Sequence, residues 1–367
     1  FFIGSVNGIF GSAIPDPGLP LPIGISFFTF QSMSYTIDLY RRNIKVQKNF
    51  IDFAAFVTMF PQIVAGPIVR YEDVSAQLAC RRIDLRSMSD GITRFVCGMC
   101  KKVLIANSIG ALWTDVKAQD YASMPAATAW LGIAAFTLQI YFDFSGYSDM
   151  AIGLGKMLGF DFPENFRYPY NSKSIAEFWR RWHITLGDWF KSYVYFPLGG
   201  SRGSTAATIR NTLIVWLLTG LWHGASWNFI LWGLYYGVLI ILEKFVFRRL
   251  LERTPSALRH ILTMLAVVFG WVIFEITSPA SELEFVKAML GFGGSFANSF
   301  TLNALHNYAV TFIAAIAIST GIPLKMCKKL PEKRADTLSL VGEAAGMTAC
   351  IACLVDSGYN PFLYFNF

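Results

Sequence analysis

Charged residues and histidines are scarce in this chain of 367 residues. Only 15% of the residues are charged and only four are histidine, whereas 54% are hydrophobic. A soluble domain usually carries about 25% charged residues, so the shortage of charge excludes an ordinary soluble domain. Together with a mean hydropathy of +0.44, it indicates an integral membrane protein.

The opening of the chain lacks the signals that normally begin a protein. Residues 1–4 include no initiator methionine, no basic region and no signal-peptide cleavage pattern. We therefore expect a fragment that begins inside a larger membrane protein, with a cleaved signal peptide as the alternative. Internal repeats and soluble domains are lacking too, so a single membrane domain is expected over 1–367. The lack of repeats is weak evidence against a transporter.

Long apolar blocks alternate with basic clusters along the chain. Several blocks approach the roughly 20 residues that a helix needs to cross a bilayer, and we expect about eight or nine membrane segments. Block 50–66 is short and contains Pro61 and Gly66, which predicts a re-entrant or broken helix. The candidate spans are 23–40, 50–66, 90–113, 126–158, 206–223, 227–247, 258–276, 303–322 and 337–355.

The net charge of +7 is concentrated between these spans, as in cytoplasmic loops under the positive-inside rule. This distribution predicts membrane orientation and no nucleic-acid partner. We place 244–259 and 325–334 inside, 171–205 inside or in the inner half of the membrane, and the C-terminus outside. The clusters are Arg41, Arg42, Lys45 and Lys48; Arg81, Arg82 and Arg86; Lys244, Arg248, Arg249, Arg253 and Arg259; and Lys325, Lys328, Lys329, Lys333 and Arg334.

Six cysteines include two Cys-x-x-Cys pairs, Cys97 with Cys100 and Cys350 with Cys353. Such pairs can bind metal or carry out redox chemistry. Both pairs lie in apolar helical runs with no histidine or aspartate at ligand spacing. We therefore expect them to pack between helices, and we predict no metal site.

Two histidines, His183 and His223, are 40 residues apart and each directly follows a tryptophan. Ser174 and Glu177 form a capping-box pattern, which predicts one amphipathic helix over 174–193 with an aromatic face and a basic face. Such a helix lies on membrane lipid or lines a cavity. His183 is expected at the edge of the aromatic face, where an ordinary interfacial histidine is the alternative.

His223 ends an apolar run, and a histidine at membrane depth is costly unless it does chemistry or has a buried partner. Thr219 and Gly220 share its helical face and are expected to leave room beside the imidazole. No charged residue occurs between Arg210 and Glu243, so the partner is a distant segment or a ligand. A bond to a backbone carbonyl is the alternative.

The segment 126–158 carries polar residues at helical spacing, Gln139, Asp143 and Asp149. Acids at membrane depth face the protein interior or a wet cavity. They could orient a histidine, contact an acceptor or form a structural network, and the sequence does not choose among these. A polar-aromatic loop that contains Asn165 connects this segment to the 174–193 segment.

Several of these motifs, taken in order, resemble the membrane-bound O-acyltransferase (MBOAT) family. The similarity is greatest to its alginate O-acetyltransferase branch, which is related to the D-alanine transfer protein of teichoic acids. The resemblance implies an all-α polytopic membrane protein with a ring of transmembrane and re-entrant helices around a central funnel or tunnel. Family members begin with further helices, so the domain is expected to lack its N-terminal ones. The motifs are 21–27, 61–67, 141–149, 163–166, 179–183, 197–200, 221–224 and 360–365.

The resemblance also implies a bacterial cell-membrane acyltransferase with His223 as its catalytic residue and His183 as the second functional histidine. The expected reaction moves an acyl group, expected to be acetyl, from a cytoplasmic thioester towards an exported polysaccharide, directly or through a secreted or membrane-anchored acetyltransferase partner. Acetyl-CoA or an acyl carrier protein is the donor substrate, and no bound cofactor is expected. Substrate contacts are assigned to Trp182, Arg180, Arg181, Trp222, Gln139, Asp143, Asp149 and Asn165.

Two rival functions stay open. One is D-alanyl transfer from a carrier protein to teichoic acid, which differs in its donor. The other is a proton-coupled transporter that uses His223, Asp143 and Asp149 as a relay.

Overall fold

A computed structural model describes residues 24–224, 226–327 and 329–356, together with residues 7, 10, 11, 14 and 15. The described residues do not include motif 360–365 or residues 21–23 of motif 21–27. They do not include the C-terminus either, which was predicted to lie on the outer side of the membrane. The described chain is helical and contains no β-strand, so the all-α prediction is confirmed. Its helices are α1 (Ile25–Tyr40), α2 (Phe50–Val57), α3 (Tyr71–Ala79), α4 (Leu85–Lys117), α5 (Ala126–Met157), α6 (Ile175–Arg181), α7 (Ile184–Phe190), α8 (Thr205–His223), α9 (Trp227–Phe245), α10 (Arg248–Arg253), α11 (Ser256–Glu275), α12 (Pro279–Met289), α13 (Ser299–Ser319), α14 (Ile322–Cys327) and α15 (Glu332–Asp356).

Side-chain caps determine where several helices begin. Asn49 accepts a hydrogen bond from the Ile51 N–H at the start of α2, at 2.9 Å. Asp84 caps α4, and Ser204 caps α8. Each cap satisfies a backbone N–H that has no partner inside its helix. The apolar blocks of the sequence therefore become helices with well-defined starts.

Five helices among the described residues are long and apolar enough to cross a membrane: α4, α9, α11, α13 and α15. The prediction of eight or nine segments is too high by this measure. α1 and α2 are too short, with 16 and 8 residues. α5 and α8 are long, but polar residues such as Asp143 and Asn211 lower their mean hydropathy, and α5 is buried along most of its length.

Glycines bring α4 and α5 into close antiparallel contact. A Cβ added to Gly98 would lie 2.5 Å from the carbonyl oxygen of Gly146, and one added to Gly153 would lie 2.6 Å from that of Gly91. Small residues at such positions let the two backbones approach. α5 is thereby fixed at the centre of the molecule, where its polar residues are enclosed.

α15 packs parallel to α4 in a regular register. Thr93 donates a hydrogen bond to Glu343 at 2.9 Å, and the sulfurs of Cys100 and Cys350 are 3.8 Å apart, seven residues further along both helices. Cys100 and Cys350 therefore pack between helices as expected, whereas Cys97 and Cys353 are exposed. Within the described residues, no group of three or more potential ligands could hold a metal ion.

Parallel packing places the basic residues that precede α4 and those that begin α15 on one side of the molecule. The basic end of α9 and the start of α11 lie on this side too. Residues 171–175 connect these helix ends. Asn171 donates to the Thr320 carbonyl after α13, and the His260 ring of α11 contacts the Ser172 carbonyl. Glu243 of α9 accepts from the Ile175 N–H. We call this the basic side. The grouping agrees with the topology predicted from charge.

The segment from 47 to 71 enters and leaves on the same side. α2 ends at Val57, the chain turns through 58–66, and the irregular stretch 67–70 returns to the start of α3. The Gln47 side chain at one end donates to the Tyr71 hydroxyl at the other, at 3.1 Å. This hairpin agrees with the prediction of a re-entrant or broken helix over 50–66.

Candidate active site

The predicted helix over 174–193 is two short helices, α6 and α7, joined at Trp182 and His183. His183 adopts a left-handed backbone conformation with φ 44°. The loop before α6 supplies the hydrogen bonds that a continuous helix would have made: the Arg167 N–H donates to the Arg181 carbonyl, and the Ile184 N–H donates to the Asn165 carbonyl. The single-helix prediction is therefore wrong, because long-range backbone contacts replace helical ones.

The start of α6 is only partly as predicted. Ser174 Oγ accepts from the Glu177 N–H at 3.0 Å, so the cap is confirmed. The Glu177 carboxylate does not return to the Ser174 N–H. It accepts from the Lys173 N–H at 2.9 Å and pairs with Arg181. The capping box is thus incomplete, and α6 is held by a cap and an ion pair.

His183 is buried in an aromatic and amide environment, with 2% of its surface exposed. Its ring stands edge-on to Phe144, with 4.7 Å between centroids, and stacks beside Phe27 at 6.3 Å. Burial, reinforced by the nearby His223, lowers the pKa of His183 well below its ordinary value. These surroundings argue against an ordinary interfacial histidine.

Asn165 determines the tautomer of His183. Its side-chain oxygen lies 3.0 Å from His183 Nδ1 and accepts from the Thr185 hydroxyl at 2.9 Å, while its NH₂ donates to Ser148 at 3.1 Å. An oxygen at this position requires Nδ1 to carry the proton. Nε2 then presents a lone pair, and it is buried without a hydrogen-bond partner among the described residues. His183 can therefore accept a hydrogen bond from a ligand.

His223 is the last residue of α8, and aromatic rings from α9 and α11 surround it. Its ring centroid lies 4.9 Å from Trp232 and 5.2 Å from Phe274. The expected space beside Gly220 does not exist, because a Cβ there would collide with the Phe229 backbone. Gly220 serves the contact between α8 and α9. Ring contacts with α9 and α11 thus restrict the imidazole, and its polar partner stays a prediction.

Trp222 lies between the two histidines and contacts both. Its ring is 5.8 Å from His183 and 4.9 Å from His223, measured between centroids. Phe27 packs edge-on against the same indole at 5.5 Å. The fold thus brings His183, Trp222 and His223 together from the α6–α7 junction and the end of α8.

A cavity of about 460 Å³ leads from the basic side towards these histidines. His183, Trp182 and Thr219 lie in its wall. His223 does not line it, but Thr219 stands one helical turn before His223. Along α8 the wall runs from Thr212 to Thr219, roughly 10 Å at 1.5 Å per residue. The segment predicted to lie on lipid or line a cavity therefore lines one.

The structure separates other predicted site residues. Arg180 lines the cavity, whereas Arg181 pairs with Glu177 at 2.8 Å and donates to the Arg167 carbonyl. Gln139 packs against Gly110 of α4. These contacts direct Arg181 and Gln139 away from the cavity.

Asp143 and Asp149 belong to a buried ion network with α4. Asp143 pairs with Lys102, and Asp149 pairs with Lys101 and with Arg94, the latter at 2.6 Å. Arg94 also binds the Glu164 carboxylate, next to Asn165, at 2.6 Å. This arrangement favours the structural-network interpretation, in which the acids steady the loop that carries Asn165.

Sequence reasoning missed the cations of this network. Arg94, Lys101 and Lys102 lie inside the candidate span 90–113. Arg94 and Lys101 are seven residues apart, which places them on one helical face. Basic residues at membrane depth are costly without partners. Acids on α5 and bases on α4 were therefore a detectable signal for pairing of these two helices.

Comparison with known proteins gives consistent matches. Residues 27–281 match the membrane-bound O-acyltransferase family. The chain is 48% identical over 273 residues to probable alginate O-acetylase AlgI of Pseudomonas aeruginosa, covering 74% of this chain and 52% of that protein. It is 35% identical over 324 residues to the peptidoglycan O-acetyltransferase of Helicobacter pylori, covering 80% and 61%.

A more distant relative is the teichoic acid D-alanyltransferase of Bacillus subtilis, 28% identical over 278 residues and covering 69% of this chain and 68% of that protein. The chain spans about half the length of the alginate O-acetylase that it matches. The family match covers well over half of the chain and includes both histidines, Asn165 and Trp222. This protein therefore belongs to the membrane-bound O-acyltransferase family.

Proposed function

We propose that this chain is part of a membrane O-acyltransferase that moves an acyl group, expected to be acetyl, from a thioester on the basic, cytoplasmic side towards an exported polysaccharide. The observation that carries the proposal is the convergence of His183 and His223 on Trp222 at the inner end of a cavity that reaches the basic side. The relatives named as O-acetylases of alginate and peptidoglycan support this substrate class.

In the proposed reaction, His223 acts as general base. The acceptor hydroxyl gives its proton to the imidazole while its oxygen attacks the thioester carbonyl. The C–S bond then breaks, and the leaving thiolate takes the proton from the imidazolium, which restores the neutral base. Such a base contributes about 10²–10⁴-fold to the rate. Aromatic rings from three helices restrict the orientation of the imidazole.

His183 has a positioning role in this proposal. Asn165 holds the Nδ1–H group of His183, so only Nε2 is left for a ligand. In this proposal Nε2 accepts a hydrogen bond from the acyl donor. Trp182 lies in the cavity wall beside it, and Arg180 stands in the same wall. Arg181, Gln139, Asp143 and Asp149 support the fold instead of contacting substrate.

The acceptor is expected to be an exopolysaccharide such as alginate, reached directly or through a secreted or membrane-anchored partner acetyltransferase. The lower identity to a D-alanyltransferase makes D-alanyl transfer the second choice. A proton-coupled transporter is less favoured, because Asp143 and Asp149 are paired with basic residues of α4.

The test uses purified protein in proteoliposomes with acetyl-CoA, an acetylated carrier protein or a D-alanylated carrier protein. The proposal expects thiol release and acetyl transfer to polysaccharide from an acetyl thioester. Transfer from the D-alanylated carrier alone would support the second choice. Proton-coupled flux without thioester cleavage would overturn the enzyme proposal.

A further inference from the structure

A second cavity, of about 350 Å³, adjoins the first on the basic side. The two cavities share Ala176, Ile240 and Lys244 in their walls. The second is an open cavity lined by the start of α6, the end of α9 and helices α10 and α11. Its chemistry differs from that of the first, because charged side chains replace the tryptophans. Those charged residues are Lys173, Glu243, Lys244, Arg248, Glu252 and Arg259.

Both carboxylates of this second cavity are already engaged. Glu243 accepts from the backbone N–H groups of Ile175 and Ala176, at 2.6 and 3.3 Å. Glu252 accepts from Arg248 at 3.0 Å. The acidic groups therefore stabilise the surrounding helices, and the four basic and two acidic side chains leave the cavity with a net charge of +2.

The remaining cations have no carboxylate partner within the described part of the chain. Lys173 and Arg259 form no ion pair with a described residue, and Lys244 donates a hydrogen bond to the neutral Ser201 hydroxyl at 3.1 Å and lies over the Phe245 ring. The Arg259 Nε atom is buried without a hydrogen-bond acceptor among the described residues. An uncompensated guanidinium with a buried N–H, beside two ammonium groups, suits phosphate oxygens.

We propose that the second cavity binds the phosphate groups of the acyl donor, while the aromatic cavity takes the thioester end. This inference rests on the proposed function. A donor with its phosphates at Lys173 and Arg259 has its acyl arm directed past Lys244 and Ala176 towards His183. CoA thioesters and phosphopantetheinyl carrier proteins both carry such phosphates, and an anionic lipid headgroup presents the same chemistry.

The test compares Lys173→Gln and Arg259→Gln with the controls Arg249→Gln and Arg253→Gln. The control residues are exposed cations of α10 that do not line the cavity. Initial rates are measured with acetyl-CoA, with an acetylated carrier protein and with acetyl-pantetheine, which has no phosphate. Loss of a charge-assisted hydrogen bond should raise the KM for the phosphate-bearing donor about tenfold, with little change in kcat, in the controls or with acetyl-pantetheine.

The donor arms identify the source of the phosphate. A KM change with acetyl-CoA or with the carrier names the natural donor. An equal change with acetyl-pantetheine, or no change with any donor, would overturn the proposal. A change that appears only in anionic vesicles, and equally for all donors, would assign the cavity to a lipid headgroup and also overturn it.

Binding of free CoA separates this inference from the proposed function. Trp179, Trp182 and Trp216 line the first cavity, so intrinsic fluorescence reports occupancy without any reaction. CoA binding that weakens in Arg259→Gln, in a protein that transfers no acyl group, would support the phosphate cavity and contradict the enzyme. Acyl transfer with CoA binding unaffected by Lys173→Gln and Arg259→Gln would do the reverse.

Discussion

At the residue scale, Asn165 organises the site around His183. It is completely buried, with 0% exposure. Its oxygen faces His183 Nδ1 and both polar groups of Thr185, and its NH₂ bonds Ser148. Thr185 in turn accepts from the Ile68 N–H at 3.0 Å, which connects the re-entrant hairpin to the histidine. A single amide thus fixes the imidazole and joins three segments.

We expect Asn165→Ala to reduce acyl transfer about 10–100-fold, as other losses of a histidine-orienting partner do. Asn165→Asp should give a different signature, because a carboxylate at Nδ1 raises the pKa of His183 and favours the charged ring. Its pH–rate profile should lose activity below a higher pH than wild type, since the proposal requires a neutral His183. Ser148→Ala, which removes only the contact of the Asn165 NH₂ group, is the control and should keep the wild-type profile. An Asn165→Asp profile that coincides with wild type would contradict the orienting role.

The ion network gives a second prediction at this scale. Asp149→Ala removes a carboxylate shared by Arg94 and Lys101, and leaving buried charges unpaired costs about 3 kcal/mol, somewhat less here because Arg94 is a third exposed. The thermal midpoint in detergent should fall by several degrees. Asp90→Ala, in the exposed pair with Lys156, should change stability by about 1 kcal/mol or less. Equal midpoints for the two variants would refute the structural role of Asp149.

At the element scale, the outcome at α6 and α7 shows what sequence periodicity can and cannot predict. Ser174 was identifiable as a cap because capping depends on neighbours in sequence. The break at His183 depends on two hydrogen bonds, one accepted by the Asn165 carbonyl and one donated by the Arg167 N–H, and both residues are distant in sequence. An aromatic stripe at helical spacing looks the same whether the helix continues or breaks. The contact of Trp222 with both histidines could not be predicted from the sequence for the same reason.

Glycine packing between α4 and α5 yields an element-scale prediction. Gly98→Ala places a Cβ 2.5 Å from the Gly146 carbonyl oxygen, and relieving such overpacking costs about 1–3 kcal/mol. The midpoint of unfolding should fall and expression should drop. Gly342→Ala in α15 is the matched control, because a Cβ there meets nothing within 4 Å. An unchanged midpoint for Gly98→Ala would mean that α4 and α5 are further apart than described.

At the scale of the whole molecule, the charge clusters predicted the grouping of helix ends well. Basic residues before α4, after α9 and before α15 lie on one side, because α15 is parallel to α4 and residues 171–175 connect the remaining clusters. The apolar blocks also matched the helices. Fewer helices than the predicted eight or nine meet the length and hydropathy expected of a span among the described residues, because polar side chains lower the hydropathy of an enclosed helix such as α5.

We predict that the loop 325–334 is cytoplasmic and that the C-terminus is outside. Reporter fusions after Lys329 and at the C-terminus check the two positions. Single-cysteine labelling at the exposed Cys80, next to Arg81, provides a control on the basic side. A cytoplasmic signal from the C-terminal fusion would overturn the orientation and, with it, the side from which the donor enters.

The central claim is that His223 is the general base of the acyl transfer. The most direct measurement is the rate of acetyl transfer, or of thioester cleavage, by purified His223→Ala and by His223→Gln, which better fills the space between Trp232 and Phe274. His306→Ala, at an exposed histidine of α13, is the matched control, and the amount of folded protein is measured in parallel.

We predict that both His223 variants lose about 10²–10⁴-fold in rate at normal protein levels while His306→Ala retains full activity. His183→Ala should mainly raise the KM for the donor. Wild-type turnover by a well-folded His223→Gln protein would contradict the account and return His223 to a packing role.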